Sequence, residues 1–286
     1  MTVESPSLHA RTQFAESNGR RLAYRRFGAG TPIVLCLRFR GTMDSWDPAF
    51  LDALAAQGLE VVIFDYSGLG LSTGTPTYNP ASLAKDALDL IAALGLKRVV
   101  IGGWSVGGIA AQIVFAQTQS LVSHVVLIAT TPPGTLVKTG EPLFFELAKR
   151  PNTEPEDAIQ LFFEPTSAAS RAAAAASLKR LQLRTEGRGP DVPYEWAGQQ
   201  LGDGPRNPMF PADAVLQLLK TTSVPVLHIG ADHDIVFPVE NWYALNRQLP
   251  TLQLATFPSA GHGPQHQYPR QAAARIGAFI AGEEQH

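Results

Sequence analysis

Cysteine is nearly absent. The 286 residues contain one, Cys36, so no disulfide can close within the chain and the fold needs no oxidising compartment. It sits in the apolar run Pro32-Ile33-Val34-Leu35-Cys36-Leu37, which predicts a small core residue rather than a reactive thiol. An excess of one charge is missing too. The 23 basic and 25 acidic residues leave a formal net charge of -2, with the signs interspersed. Nucleic-acid and membrane-surface binders need a positive field, so neither partner is expected. No segment approaches the ~18 apolar residues of a membrane helix. Residues 1–11 lack an apolar stretch of signal-peptide length, so a cytoplasmic protein is expected. What the chain does have is apolar content, 45%, enough for one large core and inconsistent with disorder.

Strand-like and helix-like segments alternate through the first half. Residues 12–17 and 21–27 flank Asn18-Gly19, the strongest short-range hairpin signal. The apolar run 33–37 reads as a strand covered on both faces, and 49–57 as a helix closed by Gly58. Residues 61–64 form another buried strand. In 82–94, Leu83, Ala87, Leu90, Ile91 and Leu94 recur at helical spacing before Gly95. A strand at 99–101 runs into Gly102-Gly103-Trp104-Ser105, followed by a helix at 106–117 and a strand at 125–128. This order predicts a mostly parallel sheet with helices on both faces.

The rhythm stops after Thr131-Pro132-Pro133-Gly134. From there to about Pro208 only helix signals remain. Thr153 with Glu156 suggests a capping box before a helix at 158–163, and 170–183 is alanine-rich, as plain helix propensity favours. An unstructured loop of that length does not suit a compact domain. Residues 135–208 are therefore expected to form a helical cap, inserted into a core made of 1–134 and 209–286. The alternation resumes with a strand at 224–229, a helix at 239–248, a strand at 252–257 and a helix at 271–281.

The feature richest in chemistry is Gly103-Trp104-Ser105-Val106-Gly107. A G-x-S-x-G pattern alone is weak, but here it follows a buried strand and opens a helix, the placement a nucleophile elbow requires. A serine hydroxyl is a poor nucleophile at neutral pH and needs a positioned base, itself held by an acid. Of seven histidines, His262 alone follows a late strand, in Pro258-Ser259-Ala260-Gly261-His262-Gly263. His266 is near but heads toward the final helix. His124 and His228 lie beside or within apolar strands, where a structural role is expected. The acid should end the preceding strand, where Asp232 and Asp234 both stand. Asp234 is favoured, and Asp232 is the alternative, readable as a turn former.

With these residues in view, the chain resembles the α/β-hydrolase superfamily from Ile33 to the final helix. Besides the elbow it carries Asp65-Tyr66-Ser67-Gly68-Leu69-Gly70-Leu71-Ser72, which resembles the glycine-rich turn this family places after its fourth strand. The segments from Gly230 to Pro238 and at Gly261-His262 resemble its acid and base loops. The resemblance implies an open sheet of about eight strands, a helical cap and no required cofactor or metal. Serine at the elbow disfavours the epoxide hydrolase and haloalkane dehalogenase branches, which use aspartate. One departure stands out. Where the family commonly has His-Gly after its third strand, this chain reads Leu37-Arg38-Phe39-Arg40-Gly41-Thr42. The oxyanion hole uses backbone donors, so Val106 and Phe39 N–H are the candidates. Arg38 and Arg40 either face the pocket, favouring a substrate with a carboxylate or phosphate, or pair with acids such as Asp44 and Asp47. Trp104 and Phe39 either line an apolar pocket or belong to the core.

Three functions suit this pattern, each with a small-molecule partner. The first is hydrolysis of a carboxylic ester, lactone or thioester by Ser105, His262 and Asp234. The second keeps those residues but cleaves a carbon–carbon bond or uses peroxide. The third is a non-catalytic ligand-binding protein on the same scaffold, since fold does not fix function. Oligomeric state is not readable from the sequence.

Overall fold

A computed structural model describes residues 5–151, 154–201 and 212–282. Eight strands make one sheet: β1 (Gln13–Ser17), β2 (Arg20–Gly28), β3 (Thr31–Cys36), β4 (Leu59–Phe64), β5 (Val99–Trp104), β6 (Val122–Ile128), β7 (Val226–Ala231) and β8 (Leu252–Phe257), in the order β1-β2-β4-β3-β5-β6-β7-β8. The β1–β2 and β2–β4 pairings are antiparallel and the other five are parallel. The β1–β2 hairpin turns at Asn18 and Gly19, both at positive φ (50° and 76°), the backbone that a two-residue turn between right-twisted strands demands. Every residue of β5, β6 and β7 is buried. Successive side chains of a strand point to opposite faces, so both faces must be covered.

The helices that cover them are α1 (Pro6–His9), α2 (Pro48–Ala55), α3 (Pro80–Ala93), α4 (Val106–Gln117), α5 (Pro142–Ala148), α6 (Pro155–Phe162), α7 (Ala168–Leu181), α8 (Tyr194–Leu201), α9 (Asp213–Thr221), α10 (Glu240–Tyr243), α11 (Pro264–Gln267) and α12 (Pro269–Ala281). Two groups form, α2 with α12, and α4 with α3 and α9. Pro at the first turn starts many of them, with Asp47 capping α2 and Asn79 capping α3 through side-chain oxygens. Among the described residues no helix is long and apolar enough to cross a membrane.

Four helices, α5 to α8, fill the stretch between β6 and residue 201, where only helix signals are present in the sequence. The outer boundary expected at Pro208 lies outside the described residues, as does Thr153 of the expected capping box. The helix there begins at Pro155, and its N-cap, Glu154, makes no side-chain cap bond. The expected helix at 239–248 is shorter. Beyond Tyr243 the backbone bonds tighten to three-residue spacing, Leu245 to Trp242 and Gln248 to Leu245, so the chain winds through turns rather than continuing the α-helix.

The strand order places the site. From β3 the chain moves to one side to make β4, then crosses back over β3 to make β5 on the other side. The carboxyl ends of β3 and β5 are thus neighbours whose outgoing segments leave in opposite directions, with Cys36 opposite Gly103 in register. A crevice opens at such a reversal, where ligands bind in open α/β sheets.

Candidate active site

Ser105 is the hinge between β5 and α4. Its φ of 62° and ψ of -127° lie outside the regions ordinary side chains prefer. The strain is held in place by its neighbours. The Ser105 amide donates to Ile128 O at 3.0 Å, and the Thr130 hydroxyl donates to Ser105 O at 2.6 Å. The flanking glycines are required by contact. A Cβ on Gly103 would lie 2.1 Å from Gly107 O, and one on Gly107 would lie 2.3 Å from Cys36 O. That second approach brings the start of α4 against the end of β3.

The structure brings Ser105, His262 and Asp234 together from three separate loops. Ser105 Oγ is 2.8 Å from His262 Nε2. His262 Nδ1 is 3.0 and 2.9 Å from the two carboxylate oxygens of Asp234. All three are buried. Asp234 Oδ1 also accepts from the amides of Val236 and Phe237, at 2.8 and 3.0 Å, which fixes the carboxylate. Hydrogen bonds between backbones tie the acid and base loops to each other, Asp232 N to Phe257 O and His233 N to Ala260 O. Asp232 instead pairs with His233 at 2.7 Å and accepts from Ala260 N, a turn-forming role. The Trp104 indole donates to His262 O at 2.7 Å, and Phe162 stacks beside the imidazole at 6.2 Å between centroids.

The residues expected around this centre fall out as follows. Neither the Val106 nor the Phe39 N–H meets an acceptor among the described residues, and Val106 opens the 12-residue α4, where the helix dipole favours negative charge. The segment 38–40 is braced from below: Tyr78 packs 4.6 Å from the Phe39 ring and its hydroxyl accepts from Arg40 N at 2.7 Å. Trp104 belongs to the core and also lines the cavity. Pairing of Arg38 with Asp44 or Asp47 is not what the structure contains. Arg25 holds Asp44 and Arg180 holds Asp47, each at 2.6 Å. The Arg40 guanidinium donates to Ala148 O and Arg150 O, both at 2.8 Å, so it braces the end of α5. Arg38 lines the cavity, and burial pushes its guanidinium down to about 10, leaving it charged at neutral pH.

That cavity, about 570 Å³, is walled by Ser105, His262, Arg38 and Phe39 on the sheet side and by Phe144, Leu161, Phe162, Leu178 and Leu181 from α5, α6 and α7. Its size suits a metabolite-sized ligand. Among the lining residues that the sequence does not mark, Phe162 and His266 lie beside the His262 imidazole or Trp104. Phe162 looks like any core residue of an amphipathic helix and carries no signal. His266, four residues after His262, reads from the sequence as heading toward the final helix, but it lies in the short α11 before it. It sits 4.8 Å from the Trp104 ring, and burial pushes its imidazole down to about 4, so it is neutral at neutral pH. Among the described residues no cluster of three or more His, Cys, Asp or Glu is arranged to hold a metal ion.

Comparison with known proteins adds the following. A family model described as alpha/beta hydrolase fold matches residues 31–269. An alpha/beta hydrolase fold protein from Chitinophaga pinensis is 30% identical and superposes with a TM-score of 0.81, over 96% of this chain and 98% of that one. A Mycobacterium tuberculosis protein that carries the name of a non-heme bromoperoxidase is 26% identical over 256 residues, 84% of this chain and 90% of its own. An esterase from Rhodococcus sp. ECU1013 shares the fold at 21% identity, with a TM-score of 0.70 over 95% of this chain and 98% of that one.

Proposed function

Because the chain belongs to the alpha/beta hydrolase fold family, we propose that it is a serine hydrolase cleaving carboxylic esters, lactones or thioesters through an acyl-enzyme on Ser105. The observation that carries this reading is the unbroken chain of hydrogen bonds from Ser105 Oγ through His262 to Asp234. The Asp234 carboxylate accepts a hydrogen bond from His262 Nδ1–H, which leaves Nε2 with a lone pair aimed at the serine hydroxyl. His262 takes the proton as Oγ attacks the substrate carbonyl. The new oxyanion is met by the N–H groups of Val106 and Phe39. His262 then hands its proton to the leaving alcohol or thiol. Water, deprotonated by the same imidazole, cleaves the acyl-serine and releases the acid. In this reading α5, α6 and α7 belong to the cap expected over 135–208 and supply the apolar wall opposite Ser105.

The name of the mycobacterial relative supports a second reading on the same residues. Hydrogen peroxide in place of water would convert the acyl-serine to a peracid and regenerate Ser105. Carbon–carbon cleavage of an acidic diketone draws on Arg38 in the cavity wall. A substrate panel separates them: p-nitrophenyl esters, the same esters with peroxide, and a diketone. The expected result is ester turnover that falls at least ~10³-fold in Ser105→Ala. Full ester turnover in Ser105→Ala would overturn the nucleophile assignment. Folded wild-type protein inert to the whole panel would favour ligand binding without catalysis.

A further inference from the structure

Arg38 is an enclosed cation with no carboxylate in ion-pair contact among the described residues. Its Cζ lies 4.7 Å from the Phe162 ring centroid and 5.2 Å from that of Trp104, so two π-systems flank the guanidinium. Nη1 donates to the adjacent Phe39 O at 2.7 Å, while Nε is buried with no acceptor among the described residues. The acids that could have neutralised it are held elsewhere, Asp44 by Arg25, and Asp47 by Arg180 and Ser177. Asp191, on the same cavity wall, is exposed; its charge favours that of Arg38 at a distance, but the two form no ion pair among the described residues. Aromatic faces soften the burial of a charge, but an enclosed guanidinium normally finds an anion. Arg38 has the geometry of a group waiting for one, in the wall of the cavity that holds Ser105.

The other basic groups lining the cavity besides His262 do not compete for the role: Arg40 is turned onto the Ala148 and Arg150 carbonyls, and His266 is the remaining one. His266 Nδ1 faces Ser177 Oγ at 3.4 Å, and that hydroxyl gives its own proton to Asp47. Donation from Nδ1 suits that hydroxyl and leaves the buried Nε2 as an acceptor, which offers an anion nothing. One guanidinium is thus available, matching one negative charge in a planar, two-oxygen group. A carboxylate fits this better than a dianionic phosphate monoester. Its position is constrained as well. Arg38 directly precedes Phe39, whose N–H is the oxyanion donor in the reading above, so the charge would sit a few bonds from the scissile carbonyl.

Resting on the ester-hydrolase reading, we propose that Arg38 sets specificity by receiving a carboxylate of the substrate, so that the preferred substrates are esters bearing one free carboxylate, such as hemiesters of short dicarboxylic acids. The acyl chain lies against Trp104 and Phe162, and the remaining apolar wall takes the alcohol portion.

The test compares kcat/KM for the p-nitrophenyl monoester of glutaric acid with that for p-nitrophenyl pentanoate and for the methyl-capped glutarate ester. Wild type is expected to prefer the anionic ester by about tenfold or more, chiefly through KM, as a charge-assisted bidentate contact would give. The anionic-to-neutral ratio should collapse in Arg38→Gln and survive in part in Arg38→Lys. A wild-type ratio of one or less, or a ratio unchanged in Arg38→Gln, overturns the proposal. A second readout avoids dependence on how the variants fold: millimolar glutarate should slow organophosphate labelling of Ser105 in wild type, and dimethyl glutarate should not. Protection by inorganic phosphate but not by glutarate would contradict the carboxylate assignment. An active esterase lacking the preference sinks the Arg38 proposal alone, whereas no ester turnover and no Ser105 labelling sinks the hydrolase reading beneath it.

Discussion

Two carboxylates separated by one residue follow the seventh strand, and their surroundings set them apart. Asp234 is buried, held by two amides and both of its oxygens face His262; Asp232 is partly exposed and pairs with His233. Asp234→Asn should lower kcat on a p-nitrophenyl ester by about 10³–10⁴-fold, because the amide favours the wrong imidazole tautomer, while Asp232→Asn should stay within about threefold. Equal losses in the two variants would reverse the assignment. The convergence of Ser105, His262 and Asp234 was legible because the proposed chemistry needs particular residue types after strand ends, in a fixed chain order. Arg38 was legible as an oddity but not in its environment. Whether it met Asp44 or a cavity depends on Arg25 reaching Asp44 first, a contact between residues 19 positions apart that no local pattern encodes.

Among elements, α7 shows how the helices above the sheet are fastened. Asp47 caps α2 through Ala49 N, and the same carboxylate takes two bonds from Arg180 and one from Ser177, both on α7. Asp47 is fully buried while Arg180 is partly exposed. Arg180→Ala would leave an enclosed charge unpaired and is expected to cost about 3 kcal/mol in urea denaturation at neutral pH. A loss below about 0.5 kcal/mol would mean that α7 does not depend on this tie. Burial opposes the charge on Asp47, yet Arg180, His266 and Ser177 together outweigh it and hold the carboxyl below its ordinary 3.8. This contribution is therefore present above pH 3.8 and disappears as the pH falls through the lower folded value. The strand–helix alternation was readable because strands buried on both faces are unbroken apolar runs. Helix ends were less so, since α7 begins at the Ser167 cap, and the run beyond α10 tightens into turns under tertiary packing.

At the scale of the whole molecule, one sheet with a reversal between β3 and β5 gathers a serine, a histidine and an aspartate from loops up to 157 residues apart. The same sheet carries a pH liability. His228 lies within β7, stacked on Trp242 at 4.8 Å, and burial pushes its imidazole down to about 3 despite the nearby Thr130 carbonyl. The unfolded chain takes up this proton near pH 6.5 and the folded chain does not, so stability is lost as the pH falls through that window, at about 1.4 kcal/mol per unit. Between pH 7.5 and 5, His228→Leu should therefore lose about 2 kcal/mol less than wild type by chemical denaturation; an identical loss would contradict a neutral His228. The cavity shape lay beyond the sequence, because side chains from α5, α6 and α7 meet only once the sheet has placed them. The claim on which the account rests is that Ser105 is the activated nucleophile. Its most direct test is peptide-resolved mass spectrometry after treatment with an organophosphate. The expected result is a single adduct on Ser105, formed in step with loss of esterase activity and abolished in His262→Ala; full inhibition with the adduct on another residue, or folded protein that takes up no label, would contradict it.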